Sequence, residues 1–312
     1  MELGIRAAAW HFPDQVLPVA RSDLGIEEVR AGTSDAVELG FRAAASALSE
    51  AGLTGHDVSA LIVVESRAPE RLMTSEVMRL QHLLGADRAL TFGVGGLGCA
   101  SISPALLTAR GLLAADPSLA NVLVVHGSVP ATPERYRDPV TVSGDGGQAL
   151  LLGRQGPVRV LDIVQETNGE YWDLFGVSYR DVPSAEWRET CSNPAKYSFQ
   201  LAVETRNRLQ ALRSILTERH GDTVDCYLAQ NLSAAGHRVL GEALGVEIGK
   251  ACSENLRRYG HLGPNDMFLN LYTAMERGEV GEGQRAMLFN VSPVAAWSAA
   301  LVEVGASADT FL

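Results

Sequence analysis

The run TFGVGGLGCAS, from Thr91 to Ser101, constrains this chain more than any other stretch. A strand ends there in a glycine-rich turn, and the turn delivers Cys99 to the start of an apolar helix. Backbone this tight needs residues without a Cβ, and Gly95, Gly96 and Gly98 supply them while leaving space around the sulfur. A thiol at a helix start feels the partial positive charge of unpaired N–H groups, which favours thiolate. Cys99 is therefore a candidate nucleophile, set against the plainer reading of a buried, inert cysteine in a tight turn.

Length and composition set the frame around that turn. With 312 residues, 46% of them hydrophobic, the chain suits one large domain or two joined halves of about 150 residues each. Its four cysteines, Cys99, Cys191, Cys226 and Cys252, lie far apart with no CxxC pair, which argues against a zinc site or a disulfide framework and for a reducing cytoplasm. No targeting segment opens the sequence, and no uninterrupted apolar run approaches the ~20 residues of a membrane span. The net charge of −11 disfavours nucleic acid as a partner.

Taken in order, the chain repeats itself. Leu3 to Trp10 reads as a strand, Asp35 to Ala51 as an amphipathic helix, and Ala60 to Val64 as a strand buried on both faces. A helix over Ser75–Leu84, the cysteine turn, a helix to Ala115, a strand over Asn121–His126 and a return through GDGG at Gly144–Gly147 close a first half. Residues Gly153 to Thr223 read as polar and irregular up to an arginine-rich helix over Gln200–His220. Then come a strand at Val224–Leu228, a helix at Ala234–Leu244, a turn at Leu262-Gly263-Pro264 into a helix ending at Arg277, and strands at Arg285–Asn290 and Trp297–Val304. The order strand, helix, glycine turn, helix, strand, strand occurs once around Cys99 and again around His261. This predicts an α/β fold of two duplicated halves, 1–156 and 157–312, related by a pseudo-twofold axis that brings the equivalent turns together.

His261 sits in RRYGHLGPND, with Gly263 and Pro264 opening the next helix and Asp266 in its first turn. Five residues is a poor spacing on one helical face, but across a turn it lets a carboxylate fold back onto an imidazole. In that geometry Asp266 fixes the tautomer of His261, and His261 takes the proton of Cys99. His126 and His237 read as structural.

Together the cysteine turn, GDGG, DCYLAQN at Asp225–Asn231, RRYGHLG and the closing FNVSPVAAWSAALVEV resemble, in the same order, the thiolase-fold ketoacyl-ACP synthase III proteins. The resemblance implies a thiolase-like fold of αβαβα-type halves, an enzyme thioester at the cysteine, an acyl carrier protein or coenzyme A thioester as substrate with no separate cofactor or metal, and a homodimer. Decarboxylating members carry a Cys, His, Asn trio; here Ala229 stands where their His is expected, and the later turn reads Gly260-His261. The run GHLGPND is instead similar to the divergent acyltransferases of bacterial natural-product pathways, in which His and Asp serve a Cys or Ser nucleophile. The implied reaction is acyl transfer through Cys99 to a hydroxyl, amine or carrier thiol.

The resemblance extends to supporting residues. The family's glycine-rich oxyanion loop reads Ser292-Pro293-Val294-Ala295, and because Pro293 has no N–H, Val294 or Ser292 becomes the expected donor. Gln230 and Asn231 are the side chains left to hold an enolate if the reaction is instead a decarboxylative condensation; a non-catalytic partner subunit is the third reading. An acidic carrier needs a basic landing surface, for which Arg206, Arg208, Arg213, Arg219, Arg257 and Arg258 are candidates. Met73, Met78 and Met267 are read as core residues or as the lining of an acyl tunnel.

Overall fold

The computed structural model describes residues 2–305 apart from 66–68, 70 and 72. The strands are β1 (Leu3–His11), β2 (Gln15–Arg21), β3 (Ile26–Ala31), β4 (Ala60–Val64), β5 (Leu90–Val94), β6 (Val122–Ser128), β7 (Tyr136–Arg137), β8 (Thr141–Val142), β9 (Gly146–Gly153), β10 (Val158–Thr167), β11 (Phe175–Val177), β12 (Glu189–Cys191), β13 (Cys226–Ala229), β14 (Arg285–Ser292) and β15 (Ala296–Val304). The helices are α1 (Ala36–Glu50), α2 (Glu76–Leu84), α3 (Ile102–Ala115), α4 (Ala202–His220), α5 (Ala234–Leu244), α6 (Lys250–Tyr259) and α7 (Asp266–Glu276). Nine strands form one mixed sheet in the order β13-β14-β15-β10-β1-β9-β6-β4-β5.

The sheet reads as two copies of one pattern meeting at β1 and β10. In the first half β1 and β6 flank β9 antiparallel, and β4 and β5 continue parallel to β6. In the second, β10 and β14 flank β15 antiparallel and β13 continues parallel to β14, with Ile248 bridging parallel to Tyr227 where a fifth strand would lie. The copies join by antiparallel pairing of Leu3 with Val160 and Ile5 with Val158.

Alternation along these strands builds five layers. Ile62, Val124 and Leu150 of the first half share one core cluster with Leu228, Leu288 and Ala300 of the second, around α3 and α7. The opposite face of the first half, through Leu61, Leu123 and Leu151, packs under α1 and α2; that of the second, through Met287, Ala299 and Leu301, packs under α4 and α5. Strands covered on both faces are apolar almost throughout, which is why Ala60–Val64 and Gly146–Gly153 are buried at every position. Gly98–Ala115 is the one helical stretch among the described residues long and apolar enough to cross a membrane; half of it is buried inside the protein, where Ile102, Ala105, Leu106 and Ala109 belong to the central layer.

One part of the sequence reading is corrected. The stretch after Gly153, expected to be irregular, opens with β10, the strand on which the second half is built. A register shift between Val160 and Asp162 breaks its period of two, and that break hides the strand from pattern reading. The division at residues 156 and 157 falls in the turn just before it. The β2–β3 hairpin and α6 also lie outside the elements read from sequence.

The two glycine turns are conformational copies. Leu97 has φ −108° and ψ 13°, Leu262 has φ −108° and ψ 18°, and the glycine after each takes a positive φ, 55° at Gly98 and 65° at Gly263. Both turns pass through a short 3₁₀ segment into the helix of the central layer, and the two pack against each other.

Leu288 is fully buried at the centre of this arrangement. Leu288→Ala is expected to lower unfolding free energy by about 2–5 kcal/mol, read from the urea midpoint with an unchanged slope.

Candidate active site

Residues 162 apart in the chain meet between the two turns: the Sγ of Cys99 lies 3.0 Å from Nε2 of His261. On the other side of the ring, Nδ1 lies 2.5 Å from Oδ2 of Asp266. All three side chains are buried. Asp266 is held by two backbone amides besides the imidazole, Asn231 N–H donating to Oδ2 at 2.9 Å and Leu262 N–H to Oδ1 at 2.8 Å. A carboxylate with three donors is an acceptor on every side that matters, so Nδ1 carries the hydrogen and Nε2 faces the thiol.

Each member is fixed by its own turn. Ser101 Oγ accepts from Leu97 N–H at 3.1 Å, closing the cysteine turn, and Asn290 of β14 donates from Nδ2 to the carbonyl of Cys99 at 2.8 Å. His261 is pinned to the first half of the chain: its N–H donates to Val142 O at 2.9 Å, and its carbonyl accepts from Gly144 N–H at 3.1 Å. Gly260 makes that approach possible, since with φ 61° an added Cβ would come within 2.5 Å of Val142 O.

Burial alone would lower the pKa of His261; the adjoining Cys99 and Asp266 charges and hydrogen bonds outweigh it and raise the value above that of a free imidazole. The pair therefore favours imidazolium beside thiolate. Cys226 and Cys252 go the other way: burial first, then nearby acidic charges, pushes Cys226 up to about 11 and Cys252 higher still, which leaves both as inert thiols.

Cys99 and His261 open onto a cavity of about 290 Å³ whose wall includes Glu65, His126, Arg135, Arg137, Glu189 and Val294. No protein-family model matches the chain. Along its length it is similar to a β-ketoacyl-[acyl-carrier-protein] synthase III of Campylobacter jejuni, at 21% identity over 98% of each chain. Among solved structures it is similar to the acyltransferase ChlB3, with a TM-score of 0.82, 21% identity and 98% coverage of each chain. It is also similar to AbyA1, a tetronic acid condensing enzyme, with a TM-score of 0.80, 21% identity, and coverage of 96% of this chain and 99% of that one.

The chain has the thiolase fold of the ketoacyl synthase III proteins it resembles.

The structure places the other expected site residues unevenly. Val294 reaches the cavity, on a turn whose next residue, Ala295, has φ 55°. Gln230 does not: its amide donates to Val291 O and accepts from Val291 N–H, each at 2.7 Å, so the side chain continues the pairing of β13 with β14 past the end of β13. Asn231 serves Asp266 through its backbone, while its side-chain oxygen accepts from Asn270 at 2.8 Å. Neither residue is among those lining the Cys99 cavity, where a condensation would need them to hold an enolate.

The arginines divide as well. Arg213 turns inward, donating to the carbonyl of Leu244 at the end of α5 and stacking over Tyr227, so it is not a landing residue. Arg208 is bound to Glu166 and Glu204, Arg219 to Asp162, and Arg257 to Glu27. Arg206 is exposed and has no ion pair among the described residues. Met73 and Met78 are exposed, and Met267 is buried under Asn290.

Sequence reasoning missed two participants. Asn290 gave no signal, being one polar residue in a strand. His126 reads as a strand-end histidine, yet it lines the cavity. Its Nδ1 lies 2.8 Å from the carbonyl of Val64, which can only accept, so Nδ1 carries the hydrogen. Burial and then the charge of His261, against the Val64 bond, hold its pKa at about 4. His126 is neutral, with an open lone pair on Nε2.

Because the raised pKa keeps His261 protonated through neutrality, alkylation of Cys99 by iodoacetamide should be nearly flat from pH 6 to 8, whereas an ordinary thiol rises on the order of 50- to 100-fold. His261→Ala should restore the ordinary profile, as measured by intact-protein mass spectrometry.

Proposed function

We propose that the protein is an acyltransferase that carries an acyl group from a carrier protein or coenzyme A thioester, through a thioester on Cys99, to a heteroatom nucleophile. The observation that carries this reading is the buried line Cys99 Sγ, His261, Asp266, with contacts of 3.0 and 2.5 Å. In the first half-reaction the Cys99 thiolate attacks the donor carbonyl, and imidazolium His261 hands its proton to the departing thiol. Neutral His261 then takes a proton from the acceptor as it attacks the acyl-enzyme, and Cys99 leaves again as thiolate. Backbone N–H groups at the start of the cysteine helix, with Val294 N–H, serve the two oxyanions.

A decarboxylative condensation asks for something else, two hydrogen-bond donors converging on an enolate. Gln230 and Asn231 are turned elsewhere, and the free nitrogen of His126 is an acceptor, so none of these three supplies the donors for that task. On the far side of the Ser292–Val294 turn lies a second, mostly apolar cavity of about 310 Å³ walled by Leu201, Leu209, Leu240, Phe289 and Pro293, with Arg206 on its wall. It offers room for the arm of a thioester donor, and Arg206 the charge to meet an acidic carrier. The outer edge of β5 is unpaired among the described residues, and a second copy added there completes the homodimer of this reading.

Incubation with a panel of acyl-N-acetylcysteamine thioesters should leave one acyl adduct, located on Cys99 and absent from Cys99→Ala. His261→Ala should slow its formation by roughly 10²- to 10⁴-fold and Asp266→Asn by less. Release of labelled carbon dioxide from a malonyl thioester, with a carbon–carbon-linked product, would overturn acyl transfer in favour of condensation; no adduct with any thioester would favour a non-catalytic subunit.

A further inference from the structure

The wall of the Cys99 cavity restricts what can attack the acyl-enzyme. Two imidazoles face it, and each presents a nitrogen lone pair at the moment of transfer. His261 has just given its proton to the donor's thiol, and His126 has its only hydrogen committed to Val64 O. His126 Nε2 has no partner among the described residues, and the ring edge that bears it faces Gly263, where an added Cβ would stand 3.7 Å away. A side chain there would fill the space beside that nitrogen.

Charge on the wall points the same way. Arg135 is matched by buried Asp145 through bonds of 2.5 and 3.0 Å, and Arg137 by Glu189 at 2.7 Å. Nη1 of Arg137 is buried and has no hydrogen-bond partner among the described residues. Glu134 is paired with Arg188, whereas Glu65 has no cation paired with it among the described residues. Among the described residues, the charge left unmatched on the wall is the carboxylate of Glu65.

Both nitrogens belong to the wall of the Cys99 cavity, and an acceptor seated between them meets two hydrogen-bond acceptors with a carboxylate nearby. A hydroxyl or thiol brings one hydrogen, and giving it to His261 leaves His126 Nε2 facing a lone pair. A primary amine brings two. We propose that the acceptor is a primary amine, held through one N–H by His126 Nε2 while His261 takes the other proton, so that the product is an amide.

This inference rests on the acyl-transfer reading and names its acceptor. The amine nitrogen attacks the carbonyl carbon of acyl-Cys99, the C–N bond forms and the C–S bond breaks. Cys99 departs as thiolate, His261 holds one proton as imidazolium, and the second hydrogen stays on the amide nitrogen. No oxidant, reductant or further reactant is consumed.

The test separates recognition from chemistry. In the resting enzyme, where His261 is imidazolium, benzylammonium donating to His126 Nε2 near the Glu65 carboxylate should slow iodoacetamide alkylation of Cys99 saturably, and uncharged benzyl alcohol should do so more weakly, a measurement that needs no acyl transfer. With Cys99 loaded from octanoyl-N-acetylcysteamine, benzylamine should discharge the enzyme with saturation and far faster than it aminolyses octanoyl-N-acetylcysteine in solution, giving N-benzyloctanamide. His126→Phe should raise the half-saturating benzylamine concentration by about tenfold in both assays, the weight of one lost hydrogen bond. Saturable discharge by benzyl alcohol with benzylamine reacting only at its solution rate would overturn the inference, as would an unshifted half-saturation in folded His126→Phe. If that variant does not fold, the wild-type comparison of amine with alcohol decides. Protection by benzylamine without any acyl adduct would uphold amine recognition and overturn acyl transfer.

Discussion

The contact between the sulfur of Cys99 and the imidazole of His261 is the constraint on which the rest of the architecture turns. Two groups that exchange a proton inside a protein must be desolvated together, and a buried charged pair is tolerable only when its remaining valences are filled. Asp266 fills the far side of the imidazole, and two backbone amides fill Asp266. None of these groups belongs to a local motif with the thiol. They meet because β10 attaches the second half along β1 and because Val142 and Gly144 of the first half grip the backbone of His261.

Duplication explains how two remote turns come to face each other, and divergence explains why they differ. Leu97-Gly98-Cys99 and Leu262-Gly263-Pro264 follow the same backbone path into equivalent helices. In the first copy the reactive side chain follows the left-handed glycine; in the second the place is taken by Pro264, and the reactive residues stand before and after it, as His261 and Asp266. A symmetric scaffold thus carries an asymmetric set of polar side chains.

The cavity sets two histidines to opposite tasks by what each ring nitrogen touches. His261 leans on a carboxylate and a thiol and is driven towards its charged form; His126 leans on a neutral carbonyl and is driven towards its neutral form, with the His261 charge adding to the effect. Two imidazolium ions in so small a space would repel, so the proton resides on the ring that can use it. The Ser292–Val294 turn stands between this chamber and the mostly apolar cavity behind it.

The amino-acid sequence by itself determined the repeat, the layered α/β class and three residues of the candidate site. Apolar strands, helical stripes and glycine-marked turns are local signals, and Cys99, His261 and Asp266 sit on the most strongly marked of them. It did not reveal β10, whose alternation is broken by a bulge, nor that Gln230 and Arg213 would spend their polar groups on the backbone of β14 and the end of α5. It could not single out Asn290 or His126 either, because their significance lies in what a distant strand or turn places beside them. Which polar side chains face a cavity and which satisfy the backbone depends on contacts between segments far apart in the chain, and only tertiary packing decides those.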